Sequence, residues 1–163
     1  TAWFVPKPHT AFQWEPQISM EEYQRRVKLL RDHMRGRSIR YNWHDSQTSF
    51  LEAVFARGDR KVAEVIETAW RSGAKFDAWS EGFDFDRWLE AFSACGVNPA
   101  FYANRVRDKD ERFPWDVTSV GVSRQFLWRE RERAYAASTT PDCRTQCSGC
   151  GANHFCPGGK CDA

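Results

Sequence analysis

The sequence predicts a mostly helical α+β fold with two short parallel strands near its start. Two strand-like segments enclose a capped helix, further capped helices follow to about residue 138, and cysteines crowd the end of the chain. The chain has 163 residues, of which 41% are apolar, so it can bury a substantial core. Eight Trp and twelve Phe predict a core or a partner surface rich in aromatic rings.

The first expected elements are a strand, a helix and a second strand. Residues 2–5 and 38–43 are typical of strands, and Ser19 with Glu22 forms a capping box that begins the helix between them. Because such connections are right-handed crossovers between parallel strands, we expect both strands in one sheet. The later helices are expected over 48–57, from Asp59 to Gly73, from Asp84 to Gly96, from Pro99 onward, and over 123–138.

Composition argues against a membrane-spanning protein. No run of about eighteen apolar residues occurs, and residues 1–10 lack the apolar stretch of a secretory signal. The chain opens on a strand-like segment without a methionine, which indicates a piece of a longer protein. We expect a cytoplasmic location of the bacterial type, or an organellar one if the chain is a module of a eukaryotic assembly.

Residues 140–163 hold five of the six cysteines in a glycine-rich segment with little to pack. Thiolates select zinc, copper(I) and iron–sulfur clusters because these partners are soft. The expected ligands of one zinc ion or iron–sulfur cluster are Cys143, Cys147, Cys150 and Cys156. Cys161 is the reserve ligand because it lies near the chain end. Disulfides or free thiols are the alternatives.

Polar residues near the first two strands and between helices are candidates for a substrate-facing role. They are Lys7, His9, His44, Asp45, Arg57 and Arg60. Lys7 and His9 either face a pocket or form a rigid turn with exposed side chains. His44 and Asp45 are either an acid–base pair or, for Asp45, a helix cap. Arg57 and Arg60 either clamp a phosphate or carboxylate or only pair locally.

A basic stretch raises the possibility of RNA binding. Its members, opposed by Asp32, are Arg25, Arg26, Lys28, Arg31, Arg35, Arg37 and Arg40. Such a row of cations can follow a phosphate backbone. The alternative is a solvated helix face, which the formal net charge of only +2 favours.

Motifs along nearly the whole chain match one protein family. They occupy residues 4–14, 52–60, 73–79, 114–116, 121–123 and 140–144. In these motifs the chain resembles the C-terminal portion of radical S-adenosylmethionine (SAM) proteins that carry a cobalamin-binding domain. The resemblance implies the end of a partial (β/α) barrel at 1–45 and a helical extension at 46–139. A change of composition near residue 140 separates a cysteine-rich tail at 140–163.

The resemblance also implies what this chain lacks. Family members are expected to cleave SAM at a 4Fe–4S cluster, and that cluster and the cobalamin domain belong upstream. The spacing of Cys143, Cys147 and Cys150 matches the family's SAM-cluster signature, but that signature belongs near the start of a barrel. The chain alone is therefore not expected to be catalytic. Its expected partners are upstream domains or, alternatively, subunits of an assembly in which it is a structural module.

Overall fold

The computed structural model describes residues 5–34, 36 and 38–155. This part of the chain consists of helices joined by turns and loops. The helices are α1 (Met20–His33), α2 (Ser46–Arg57), α3 (Lys61–Arg71), α4 (Phe85–Ala94), α5 (Pro99–Ala103) and α6 (Arg124–Tyr135), with 3-10 turns at Pro114–Val117 and Ala152–Phe155. None of these helices is long and apolar enough to cross a membrane.

Side chains that precede the helices explain where the helices begin. At the start of α1, the Ser19 hydroxyl accepts the N–H of Glu22 at 3.2 Å. Asp45, Asp84 and Ser123 accept backbone N–H groups in the first turns of α2, α4 and α6. These bonds satisfy N–H groups that have no partner within a helix. The expected helices are therefore present, and α6 is shorter than the sequence indicates.

The prediction of parallel strands is wrong. The described residues contain no strand, and 38–43 is an irregular segment. Ile39 in this segment is 52% exposed, so it is not buried as in a sheet. Trp43 stacks on Tyr41 with 5.5 Å between ring centroids. The alternating apolar pattern therefore forms an aromatic pair at the surface instead of one face of a sheet. The expected end of a (β/α) barrel is absent from the described part, and residues 2–4 lie outside it.

The described residues belong to two compact units. The first contains residue 5 and residues 16–105 apart from 35 and 37, and it includes α1 to α5. The second contains residues 6–15 and 106–155, and it includes α6. The expected segments 1–45, 46–139 and 140–163 are defined by sequence pattern, not by contacts, and they stay a prediction.

The first unit has a continuous apolar core. Helix α3 packs on α4, α2 packs on α5, and α1 packs on α2. Almost no solvent reaches the side chains of Val54, Val65, Ala69 and Phe92. The Gln17 N–H donates to the carbonyl of Ala103 at 2.8 Å, which ties the segment before α1 to the end of α5. Apolar burial is therefore the main stabilising term in this unit.

The second unit has a small aromatic core around Trp14. The Trp14 ring meets Phe113 and Trp128 edge-on, with centroid separations of 5.9 Å and 5.0 Å. Trp115 donates its indole N–H to the side-chain oxygen of Gln13 at 2.9 Å. Residues far apart in sequence thus pack around α6, the helix beside which the cysteine-rich segment lies.

Candidate metal centre

The cysteine-rich segment is anchored to the start of α6. The backbone N–H of Ser123 donates to the carbonyl oxygen of Cys150 at 2.8 Å. Arg129, one turn and a half further along α6, donates through Nη2 to the carbonyl oxygen of Ser148 at 3.1 Å. These two bonds fix the backbone on either side of Gly149. The loop from Cys147 to Cys150 is therefore held by hydrogen bonds and not by a core of its own.

Two glycines shape the turn around Cys150. Gly149 has a φ of +67° and Gly151 a φ of +98°, both in the left-handed region that glycine adopts without strain. A Cβ at position 151 would lie 2.9 Å from the carbonyl oxygen of Gly121. Two features therefore require glycine at position 151: its backbone angle and its close approach to the turn before α6.

The turn places a hydrogen-bond donor on a thiol. The N–H of Ala152 points to Sγ of Cys150 at 3.4 Å. A donor of this kind orients a ligating side chain when a metal is bound. Cys150 is half-buried, so part of its surface remains open to a ligand. This thiol is the best prepared for metal binding among those that the structure describes.

The other thiols are available but are not gathered. Cys143 and Cys147 are exposed, and both are free thiols, as is Cys150. Within residues 5–34, 36 and 38–155, no three His, Cys, Asp or Glu side chains lie close enough together to hold a metal ion. Cys156 and Cys161 lie outside the described residues. The assignment of Cys143, Cys147, Cys150 and Cys156 as ligands therefore stays a prediction.

Arginine side chains lie beside two of the described cysteines, Cys143 and Cys147. A cavity of about 430 Å³ beside Cys147 is lined by Arg129 and Arg133 of α6. Next to Cys143, the Asp142 carboxylate accepts two side-chain hydrogen bonds from Arg144. The bond from the Arg144 side chain lowers the pKa of Asp142, and the same pair raises the pKa of Arg144. Arg144 is thus paired with Asp142, and Arg133 is paired with Glu130 at 3.0 Å, so Arg129 is the arginine of this group whose bond goes to a neutral carbonyl.

Lys7 and His9 lie in a tight turn of the second unit. Lys7 is exposed, and its carbonyl accepts the hydroxyl of Thr10 at 2.7 Å. His9 has a φ of +55° and lines a cavity of about 200 Å³ together with Asp116. His9 thus borders a small cavity, whereas Lys7 is a solvent-exposed part of the turn.

His44 and Asp45 lie side by side at the start of α2. Asp45 accepts the N–H groups of Gln47 and Thr48 at 3.0 Å and 2.9 Å, so its carboxylate caps the helix. The His44 carbonyl accepts the Tyr23 hydroxyl at 2.6 Å, and its side chain borders a cavity beside α1. The helix cap, one of the two readings of Asp45, is the one that the geometry supports.

Arg57 and Arg60 do not form a clamp in the described structure. Arg57 is fully buried, and its Nη1 donates to the carbonyl oxygen of Ala103 at 3.3 Å. Arg60 is exposed immediately before α3. Between them, Asp59 accepts the N–H of Lys61 at 3.0 Å, which orders the first turn of α3. Arg57 therefore has a structural role within the first unit.

The sequence interpretation overlooked the residues that anchor the cysteine loop. The sequence places Ser123 only at the start of the last helix, but in the structure its backbone N–H also holds Cys150. Arg129 gave no signal beyond its charge. Gly151 did carry a signal, because a glycine directly after a Cys-x2-Cys pair is typical of a tight turn around a metal-binding thiol.

The chain matches no protein-family model, no curated protein and no solved structure. The resemblance to radical SAM proteins with a cobalamin-binding domain therefore stays a prediction from sequence motifs.

Proposed function

We propose that this chain is a non-catalytic accessory region whose C-terminal cysteines bind one zinc ion or one iron–sulfur cluster. The observation that carries the proposal is the turn at Cys150, where backbone bonds hold the loop and an amide N–H points at the sulfur. The proposed ligands are Cys143, Cys147, Cys150 and Cys156. Thiolates at this spacing bind both zinc and iron–sulfur clusters.

The metal would hold the tail together. Four thiolates complete the tetrahedral shell of zinc, so the site would be closed to substrates and structural in purpose. None of the described residues from 140 to 155 is buried, so apolar packing contributes little to their folding. Metal binding would then supply most of the free energy that orders this segment.

We also propose that the accessory region belongs to a radical SAM protein with a cobalamin-binding domain. The support is the set of motifs at 4–14, 52–60, 73–79, 114–116, 121–123 and 140–144. SAM, its 4Fe–4S cluster and cobalamin would be held by upstream domains, which would be the partners of this chain in a bacterial cytoplasm. A non-catalytic subunit of a larger assembly is the alternative, supported by the same metal chemistry.

Metal analysis of the complete 163-residue chain tests the proposal. We expect about one zinc, or one cluster with visible absorption, per chain purified without oxygen. Replacing Cys147 and Cys150 together by serine removes two thiolates, so the metal should be lost. The matched control is Cys95→Ser, since Cys95 is a free thiol of the first unit beside Thr68. It should retain the full metal content.

Two outcomes would contradict the closed metal site. One is a fully oxidised, freshly prepared protein with two disulfides and no metal. The other is an iron–sulfur form that binds SAM, because a cluster held by three cysteines leaves one iron open to SAM. With four cysteine ligands in place, the intact chain should not bind SAM. Any SAM binding should appear only after Cys156→Ser removes one ligand.

A further inference from the structure

A cavity of about 460 Å³ lies between α1 and the segment that leads into α2. Tyr23 and Val27 are buried on the side of α1, and Trp43 and His44 border the opposite side. The Tyr23 hydroxyl donates to the His44 carbonyl at 2.6 Å. This bond fixes the irregular segment against α1, so the cavity is formed by ordered groups on both sides.

An aromatic pair stands beside the cavity. Trp43 remains 48% exposed and stacks on Tyr41 with an interplanar angle of 26°. The guanidinium of Arg31 lies 5.2 Å from the centre of the Trp43 ring. Tyr41 is half-buried, and an exposed ring stacked on such a neighbour next to an arginine is the kind of platform on which nucleobases stack.

The charges at the cavity favour an anion. Lys28 and Arg31 line it and form no salt bridge with another residue in the described part of the chain. Two carboxylates also border it, but that of Asp45 already accepts the N–H groups that begin α2. Asp32 is the remaining carboxylate in the lining. Two cations thus face the cavity opposite one carboxylate that is not engaged in capping.

The other cations of the basic stretch contribute less to ligand binding at this cavity than their number in the sequence indicates. Glu22 accepts bonds from both Arg25 and Arg26 at 2.7 Å, so these two cations are paired within α1. Arg35 and Arg37 lie outside the described residues. Arg40 is exposed but does not line the cavity, so the cations that remain in the lining are the two named above.

We propose that this cavity binds single-stranded nucleic acid, with a base stacked on the Tyr41–Trp43 pair and the adjoining phosphates at Lys28 and Arg31. The pair offers a flat apolar surface, which suits an unpaired base but not the edge of a double helix. The two cations suit the backbone on each side of that base. The proposal concerns the first unit alone and does not depend on the metal site.

Fluorescence anisotropy with a labelled oligouridylate of about ten nucleotides tests the proposal on the complete chain. We expect binding at low salt whose affinity falls with salt, with a log–log slope of about −1.4 for two phosphates. Trp43→Leu should weaken binding about tenfold or more, because one stacked base is lost. The matched control is Trp79→Leu, which removes another exposed tryptophan of the same unit.

Charge is tested by a second matched pair. Lys28→Gln with Arg31→Gln should weaken binding and flatten the salt slope, because two phosphate contacts are lost. Lys61→Gln with Lys75→Gln removes the same charge from exposed positions of the same unit and should leave the affinity unchanged. Circular dichroism melts will show whether each variant is folded, and Trp43 is exposed enough that its loss should not unfold the unit.

Oligothymidylate of the same length distinguishes RNA from DNA, and binding of either one with dependence on Trp43 supports the proposal. Equal binding of duplex RNA, or unchanged affinity in Trp43→Leu, would overturn it. So would the absence of binding at low salt. Binding to vesicles of anionic phospholipid but not to the oligonucleotides would assign the cations to a membrane surface and would also overturn the proposal.

Discussion

The helical first unit and the cysteine tail stabilise their backbones in opposite ways. In the first unit, helices α2 to α5 surround side chains such as Val65 and Phe92, which are almost completely removed from solvent. In the tail, no described residue from 140 to 155 is buried, and the backbone is held by bonds from Ser123 and Arg129. One chain therefore combines a region ordered by apolar burial with a region held mainly by polar bonds to the start of α6.

The two regions should respond differently to amino-acid substitutions. A core built from apolar side chains resists single surface changes, but it loses stability steeply when a buried side chain is shortened. A segment without a core responds instead to whatever its thiols bind. Substitutions in the first unit should therefore change the free energy of unfolding, whereas substitutions in the tail should change metal binding.

The largest effect is expected from Phe92→Ala. Phe92 is 1% exposed in the core of the first unit, so its truncation should lower the free energy of unfolding by about 3–5 kcal/mol. Urea unfolding followed by circular dichroism measures this change. The control Phe76→Ala removes a ring that is 77% exposed and should change stability by less than about 0.5 kcal/mol. The metal content of the tail should be the same in both variants, and its loss in Phe92→Ala would mean that the two regions are coupled.

An intermediate effect, confined to the tail, is expected from Gly151→Ala. The new Cβ meets the Gly121 carbonyl at 2.9 Å in a left-handed backbone, so the turn should lose about 1–3 kcal/mol. Competition with a chelator should show weaker metal binding, while the melt of the first unit stays unchanged. Gly149→Ala is the matched control, because it is also left-handed but its nearest neighbour is 4.0 Å away. If the two variants bind metal equally, the contact with Gly121 has no role.

The smallest effect is expected from Glu22→Gln on the surface of α1. Hydrogen bonds from Arg25, and then from Arg26, lower the pKa of Glu22 from 4.5 to about 2. Because the folded pKa is the lower one, the contribution of Glu22 is complete above pH 4.5 and is lost as the pH falls through about 2. The melting temperature of the variant should be slightly lower at pH 7, and the difference should shrink in that acidic range. A Glu90→Gln control removes the same charge from the exposed surface of α4 and should leave the melting temperature at pH 7 unchanged.

The helices were predictable because their signals are local. Ser19, Asp84 and Ser123 each accept an N–H three residues ahead, and such a contact depends only on neighbouring sequence. The exposed segment 38–43 shows where local reasoning fails. Alternating apolar residues indicate a strand only if a partner strand exists, and here Tyr41 and Trp43 stack on each other instead.

The candidate site was predictable in part. Spacing alone selected the cysteines, and the structure adds the anchoring of Cys150 by Ser123, which no local pattern reveals. Arg57 illustrates the same limit, because its burial depends on the Ala103 carbonyl, 46 residues away in sequence. Contacts between distant residues determine which charged side chains face solvent, and a single sequence carries little information about them.

The second unit is assembled from two pieces of chain that are synthesised at different times. The bond between Gln13 and Trp115 joins residues 102 positions apart. At roughly 5–20 residues per second, the ribosome needs about 5–20 s to produce the second partner after the first. During this interval the Trp14 ring has neither Phe113 nor Trp128 to cover it. Slower translation should therefore prolong the exposure of this tryptophan in the newly made chain.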